Sequence, residues 1–297
     1  MSTAIYDGIF DSLNIRQVQN TDYQPNLETA VGRYSGGLDP QQINIIKGDP
    51  VISFTTTDLA TVLAGISVTA GLALTSAGTI TVPFQSRASG GTFLGSSSHK
   101  TLSATLGLLV PMELSASQGD KKGAQLKLEL YPASSSGLAN PVAMNTGATL
   151  ASQAFVGGYD LGPVKIGSTL LTQVTSSKVM FGITVQRKQY NGEPYARISG
   201  ITINLRDPMF EFTFEDEASL YTFDHYSALA TTCTAFFRQK TSGSTYTDDA
   251  SSAHIAMTLT NGIQVLQSAS GSDSENSQFT RRVMGHTLSK STSSAIS

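Results

Sequence analysis

The chain has 297 residues, a mass of 31.3 kDa and a formal net charge of −3, with 39% hydrophobic and only 14% charged residues. That length buries a proper core without metals or disulfides, while the charged fraction falls well below the ~25% of ordinary soluble domains. Ser and Thr fill the gap at about a quarter of the chain, the balance expected where much of the outside is covered by other protein, since charges are depleted at interface cores.

Lys121-Lys122, Arg187-Lys188 and Arg281-Arg282 are scattered basic pairs, not the stripe that grips nucleic acid. The single cysteine, Cys233, excludes an intramolecular disulfide and a cysteine-based zinc cluster. It reads as a small buried hydrophobe on a strand. The N-terminus lacks the basic and apolar regions of a secretory signal. Thr and Gly interrupt the uncharged run between Asp58 and Arg87, so no membrane-spanning helix is expected there.

In chain order, residues 1–50 have mixed character, and 24–50 read as an extended arm or long loop with turn chemistry at Ser35-Gly36-Gly37 and Asp49-Pro50. Long loops in compact domains are usually functional, which makes Tyr34, Leu38, Asp39, Ile43 and Ile45 assembly candidates. A strand over 51–55 leads into a two-turn helix over 57–64, capped by Thr56 or Thr57 and closed by Gly65. Such a short helix is held by its apolar stripe, Leu59, Val62 and Leu63, docked on a sheet.

From residue 66 onward the signals are β. A strand is expected over 78–84, and a run over 101–115 is broken by Gly107 and Pro111. The cleanest alternation lies over 124–131, with Leu126, Leu128 and Leu130 inward and Gln125, Lys127, Glu129 and Tyr131 outward, as on a half-solvated antiparallel strand. Residues 132–177 read as a loop-rich insertion with short strands near 153–156 and 164–171. Strands follow over 178–186, 195–206 and 209–215, the first two joined by the Asn191-Gly192 hairpin signal. A second short helix is expected over 216–228, then strands near 231–239, 253–260, 262–268 and 279–288. The class is all-β, mainly antiparallel, with one or two short helices.

No catalytic constellation emerges. The histidines His99, His225, His254 and His286 lack ligand spacing, and the serines beside His99 sit in no nucleophile elbow. Glu211 and Glu215 share a strand face, but the absence of tryptophan weakens a carbohydrate platform. Phosphate-loop and calcium-loop spacings are absent. The expectation is a non-enzyme with no cofactor, no metal and no catalytic residue.

Three stretches resemble the tail tube (major tail) proteins of long-tailed bacteriophages: Gly48-Asp49-Pro50-Val51-Ile52-Ser53-Phe54-Thr55-Thr56-Thr57-Asp58-Leu59-Ala60, the run from Gly107 to Pro111 through Gly119-Asp120-Lys121-Lys122-Gly123 into AQLKLELYP, and Gly192-Glu193-Pro194-Tyr195 through ISGITINLRDPMFEFTFED. The resemblance implies a β-sandwich or barrel tube-type core with long loops and a terminal arm. It also implies rings of six copies stacked into a conduit for DNA ejection, within the virion tail and assembled in the host cytoplasm.

Implied partners are the chain itself, the terminator, distal tail and tape measure proteins, and DNA in transit without sequence-specific binding. On this frame residues 1–50 are the arm, 51–217 the core, and 218–297 a C-terminal β segment that joins the core or forms an outward domain. Glu129, Glu211 and Glu215 are then candidates to line the lumen. The competing reading is a virion adhesin, receptor-binding or capsid-decoration β-sandwich.

Overall fold

The computed structural model describes residues 2–5, 7–33, 35, 39–76, 78–150, 157–215, 228–229, 232–242, 245–272 and 275–296. The fold is all-β with antiparallel sheets and, among the described residues, one α-helix. A wide ten-stranded sheet runs Ala228–Leu229, Gly262–Ser272, Glu275–Met284, Met209–Phe214, Val174–Met180, Leu106–Ser117, Gln125–Ala133, Val51–Thr56, Val18–Gln24, with Leu72–Leu74 also paired to Leu106–Ser117. An amino-terminal sheet runs Ala143–Thr146, Lys100–Ala104, Ile80–Arg87, Gly8–Phe10, Leu13–Ile15, with Ser2–Ile5 beside Ile80–Arg87. A carboxy-terminal sheet runs Thr169–Leu171, Tyr159–Ile166, Cys233–Ser242, His254–Thr260, Thr287–Ser294, with Thr245–Tyr246 at its side. Two separate hairpins complete the fold: Leu27–Gly32 with Gln42–Gly48, and Ile183–Arg187 with Ile201–Arg206.

Period-two alternation decides which way the wide sheet faces. Leu126, Leu128 and Leu130 on one strand, and Phe210, Phe212 and Phe214 on another, are buried. They share one continuous core with Phe10, Ile80 and Leu102 of the amino-terminal sheet and Val164, Phe237 and Met257 of the carboxy-terminal sheet. Both smaller sheets therefore contribute to the apolar cluster that backs the wide sheet, and residues beyond 218 contribute to the same core.

The helix spans Leu59–Gly65 and buries Leu59, Val62 and Leu63, the stripe expected to dock. Its N-cap is Asp58 rather than a threonine. The Asp58 carboxylate accepts from the Thr61 N–H at 3.4 Å, while Thr56 Oγ1 accepts from the Asp58 N–H at 3.0 Å. Gly65 is the last helical residue, and Ile66 is the C-cap.

Several expectations shift. The arm is shorter than residues 1–50: strands Ser2–Ile5, Gly8–Phe10, Leu13–Ile15 and Val18–Gln24 enter the sheets, and Phe10, Leu13 and Ile15 are core. Residues 24–50 are not a long loop, because most of them form the hairpin of Leu27–Gly32 with Gln42–Gly48. The run 178–186 divides at Phe181-Gly182 into strands of different sheets. Gly182 turns the chain with φ +62°, and a Cβ there would collide with the Asp207 backbone. The run 195–206 is strand only from Ile201.

The run 101–115 breaks between Ala104 and Leu106 instead of at Gly107, and Pro111 is absorbed at a bulge. Strands expected over 262–268 and 279–288 extend toward each other as the hairpin Gly262–Ser272/Glu275–Met284. The strand expected near 153–156, and the helix expected over 216–228 except Ala228, lie outside the described residues.

Candidate assembly and channel surfaces

The arm hairpin pairs Leu27 with Gly48, Thr29 with Ile45 and Val31 with Ile43 on one face, and Glu28 with Lys47, Ala30 with Asn44 and Gly32 with Gln42 on the other. One face is thus mostly apolar and the other polar. Nothing among the described residues covers the apolar face: Ile43 is 67% exposed, Val31 53% and Leu27 48%. Of the assembly candidates, Ile43 and Ile45 stand on this face and Asp39 is exposed beyond it, while Tyr34 and Leu38 lie outside the described residues.

The base of the arm is pinned to the body. The Gly48 N–H donates to the Pro194 carbonyl at 2.7 Å, and a Cβ at Gly48 would strike the Tyr195 ring, so this close approach requires glycine. Asp49 gathers Lys47 at 2.9 Å, Gln189 at 3.1 Å and Arg187 at 3.7 Å, and Arg187 also donates to the Pro50 carbonyl at 3.0 Å. Burial pulls the Arg187 guanidinium below its ordinary pKa, against the opposing pull of Asp49. The hydrogen bond and charge of Asp49 push the Lys47 ammonium up.

The three lumen candidates share one face of the wide sheet. Register carries that face across the strands: Gln125 opposes Ser115, Ser115 opposes Lys178, Lys178 opposes Glu211, and Glu211 opposes Arg282. Two steps of period two along Gln125–Ala133 reach Glu129, and two along Met209–Phe214 and one residue beyond reach Glu215. The face is polar and half-exposed, opposite the leucines and phenylalanines of the core.

None of its carboxylates stands alone. Glu129 accepts from Tyr131 Oη at 2.6 Å and lies 3.8 Å from Lys127 Nζ. Glu211 accepts from Arg282 at 2.9 Å, and Glu113 pairs with Lys178 at 2.9 Å. Glu215 accepts from Gln278 at 3.2 Å, and Asp22 accepts from Gln24 at 2.6 Å. Burial, aided by the hydrogen bond to Glu129, holds the Tyr131 phenol protonated well above its usual range. Sequence reasoning found the outward carboxylates but missed Lys178, Arg282 and Glu113. Their pairing depends on strand order, which alternation within one strand does not encode.

Several other titratable groups brace the scaffold. His99 Nδ1 accepts the Ser86 N–H at 3.2 Å, and buried His254 accepts the Gln239 N–H at 3.1 Å. Asp249 is held by the Arg238 guanidinium at 3.0 and 2.6 Å. Cys233 is fully buried, and burial pushes its thiol up to about 12. Among the described residues no group of three or more His, Cys, Asp or Glu is placed to hold a metal ion. His225, Asp216 and Glu217 lie outside the described residues.

This arrangement can present an apolar hairpin to a partner, and a broad polar wall on which Lys127, Lys178 and Arg282 each lie against a carboxylate and the carboxylates outnumber them. A scan against protein-family models finds no match, and a search of curated proteins finds no relative of this chain.

Proposed function

We propose that this chain is a structural virion protein, the subunit of a phage tail tube that self-assembles through its arm hairpin into stacked rings around a channel for DNA. The observation that carries the reading is the polar face of the wide sheet, on which Glu129, Glu211 and Glu215 lie together and each is hydrogen-bonded. A conduit has to pass a polyanion without holding it. Phosphate contacts from unpaired Lys and Arg retain DNA by counterion release. Here the three cations named on the face, Lys127, Lys178 and Arg282, are each spent on a carboxylate.

The remaining negative charge repels phosphate only across the Debye length, about 8 Å at physiological salt. Such a wall keeps the duplex off its surface without a large barrier to movement. The exposed arm supplies the complementary requirement, an apolar contact between copies, and heterologous contacts that do not close on themselves build open stacks. Rings of six and the tail proteins at either end follow from the resemblance to tail tube proteins. The role requires no cofactor and no catalytic residue.

Negative-stain microscopy of the purified full chain at rising concentration tests the reading. Hollow stacked rings are the expected result. Closed trimers or dispersed monomers at every concentration would overturn it, and closed trimers would favour an adhesin or decoration module.

A further inference from the structure

Besides the arm, the molecule carries a second apolar feature open to one side, with Met144 exposed at its rim, Tyr23 and Phe84 half-buried and Leu102 buried at its floor. Between the edge strand of the wide sheet and the outer strands of the amino-terminal sheet lies a cleft of about 520 Å³, lined by Tyr23, Phe84, Leu102 and Met144 together with three threonines and an asparagine, and with Lys100 as its charged member. Leu102 and Met144 are direct cross-strand partners, and Phe84 opposes Lys100 one step along. Met144 is 75% exposed, more than the other large apolar side chains among the described residues, although it sits within a strand. Ala143–Thr146 is the outermost strand of its sheet, so one of its backbone edges makes no ladder among the described residues. An open edge beside an apolar cleft is the arrangement that accepts an added strand, with backbone bonds for affinity and alternate side chains in the cleft.

From this pairing of surfaces we infer that the cleft of one copy receives the arm strand Gln42–Gly48 of a second copy, with Ile43 and Ile45 entering against Phe84, Leu102 and Met144. This deepens the proposed function and rests on its premise that copies of the chain associate. Three observations choose the occupant. Five large apolar side chains of the arm, Leu27, Val31, Ile43, Ile45 and Ile46, are each 45–67% exposed. A patch of such residues reaches several hundred Å², the size that marks an interaction site.

Glu28 and Lys47 lie on the arm's other face as a cross-strand pair, so the face to be covered is free of charge, as is most of the cleft lining. That chemistry matches neither a charged peptide nor a nucleic acid. Each copy also offers one arm and one cleft. An arm-to-cleft contact is heterologous and leaves neither surface bare along a stack.

The test mixes full-length Ile43→Cys protein with full-length Met144→Cys protein under mild oxidation and reads disulfide dimers on a non-reducing gel, with micrographs of the same samples. Both sites are exposed, so neither change threatens the fold. Native Cys233 is buried and does not compete. A disulfide forms only where Cα atoms come within about 7 Å. The expected result is a cross-link in the mixture and none in either variant alone.

Tubes without the cross-link would overturn the docking and leave the tube reading standing. A cross-link in Ile43→Cys alone, showing arm against arm, would also overturn it. The mixed cross-link in closed oligomers would support the docking and overturn the tube. Neither assembly nor cross-link would overturn both.

Discussion

Lys290 donates its ammonium to the carbonyl of Ile66, tying the last strand of the chain to the end of the helix 224 residues earlier. A cation at a helix C-terminus complements the exposed carbonyls there, and Ile66 is the C-cap. The bond joins the carboxy-terminal sheet to the amino-terminal half of the core. Burial lowers the Lys290 pKa, so part of the gain offsets lost hydration.

Lys290→Met is expected to cost about 1 kcal/mol, below the 1.5–3 of a charged hydrogen bond because the buried ammonium is also removed. Hydrogen exchange should speed at the helix C-terminus before the sheets are affected. Unchanged protection there would place the tie elsewhere.

Leu63 is completely buried on the docking face of the helix. Leu63→Ala should cost about 2–5 kcal/mol by leaving a cavity. Leu63→Asp should abolish soluble folding, because an unpaired buried charge is among the largest single destabilisations. Thermal melts of the soluble fraction check both.

Asp7 is fully buried, and neither carboxylate oxygen has a hydrogen-bond partner among the described residues. Burial raises its pKa to about 6, against the opposing pull of Arg16. The folded chain thus binds this proton more tightly than the unfolded chain does. The resulting stability is full below about pH 4 and is lost as pH rises through about 6, a difference on the order of 3 kcal/mol. Asp7→Asn should therefore raise the melting temperature at pH 8 and lose that advantage at pH 4. A pH-independent effect would contradict this.

The arm's ends are already joined. The Asp49 N–H donates to the Asn26 carbonyl at 3.2 Å, and Asn26 Nδ2 donates to the Asp49 carbonyl at 3.0 Å. Replacing residues 29–45 with two glycines, which keeps the pinned base at Lys47 and Gly48, should shift the melting temperature by a few degrees at most, since the described residues removed are nearly all exposed, while self-association disappears. Sedimentation velocity reads the second effect. Normal polymerisation of the truncated chain would remove the arm from assembly.

Alternation within single strands was legible in the sequence. It placed Leu126, Leu128 and Leu130 inward and Glu129 outward, found the Leu59, Val62 and Leu63 stripe, and brought out the all-β class. The strands of the first 24 residues were hidden because Gly8–Phe10 and Leu13–Ile15 are too short to show a period. The arm was visible as unusual composition but not as a hairpin, since its apolar face is spread over two strands separated by a turn. Phe181-Gly182 escaped notice because a sheet change leaves hydrophobicity unbroken. The salt bridges of the polar face depend on neighbours far apart in sequence, such as Glu211 and Arg282.

Replacing Glu129, Glu211 and Glu215 together with lysine turns the net charge positive and places each new cation beside Lys127, Arg282 or Gln278. These pairs are half-buried, with Glu129 the most covered carboxylate, so losing them costs somewhat more than the ~0–1 kcal/mol of exposed pairs, and the fold should survive. Assembled variant tubes should retain DNA at low salt and release it as salt rises, whereas the parent should not retain it. Filter binding across a salt series measures this, and equal retention by both would argue that these residues face away from passing DNA.

In the proposed tube, copies stack with the polar face of the wide sheet turned inward. A helical reconstruction of filaments grown from the purified chain decides this arrangement. The expected density has a continuous central channel walled by the strands that carry Glu129, Glu211 and Glu215. A solid filament, or a tube with those strands on its outer surface, would contradict it.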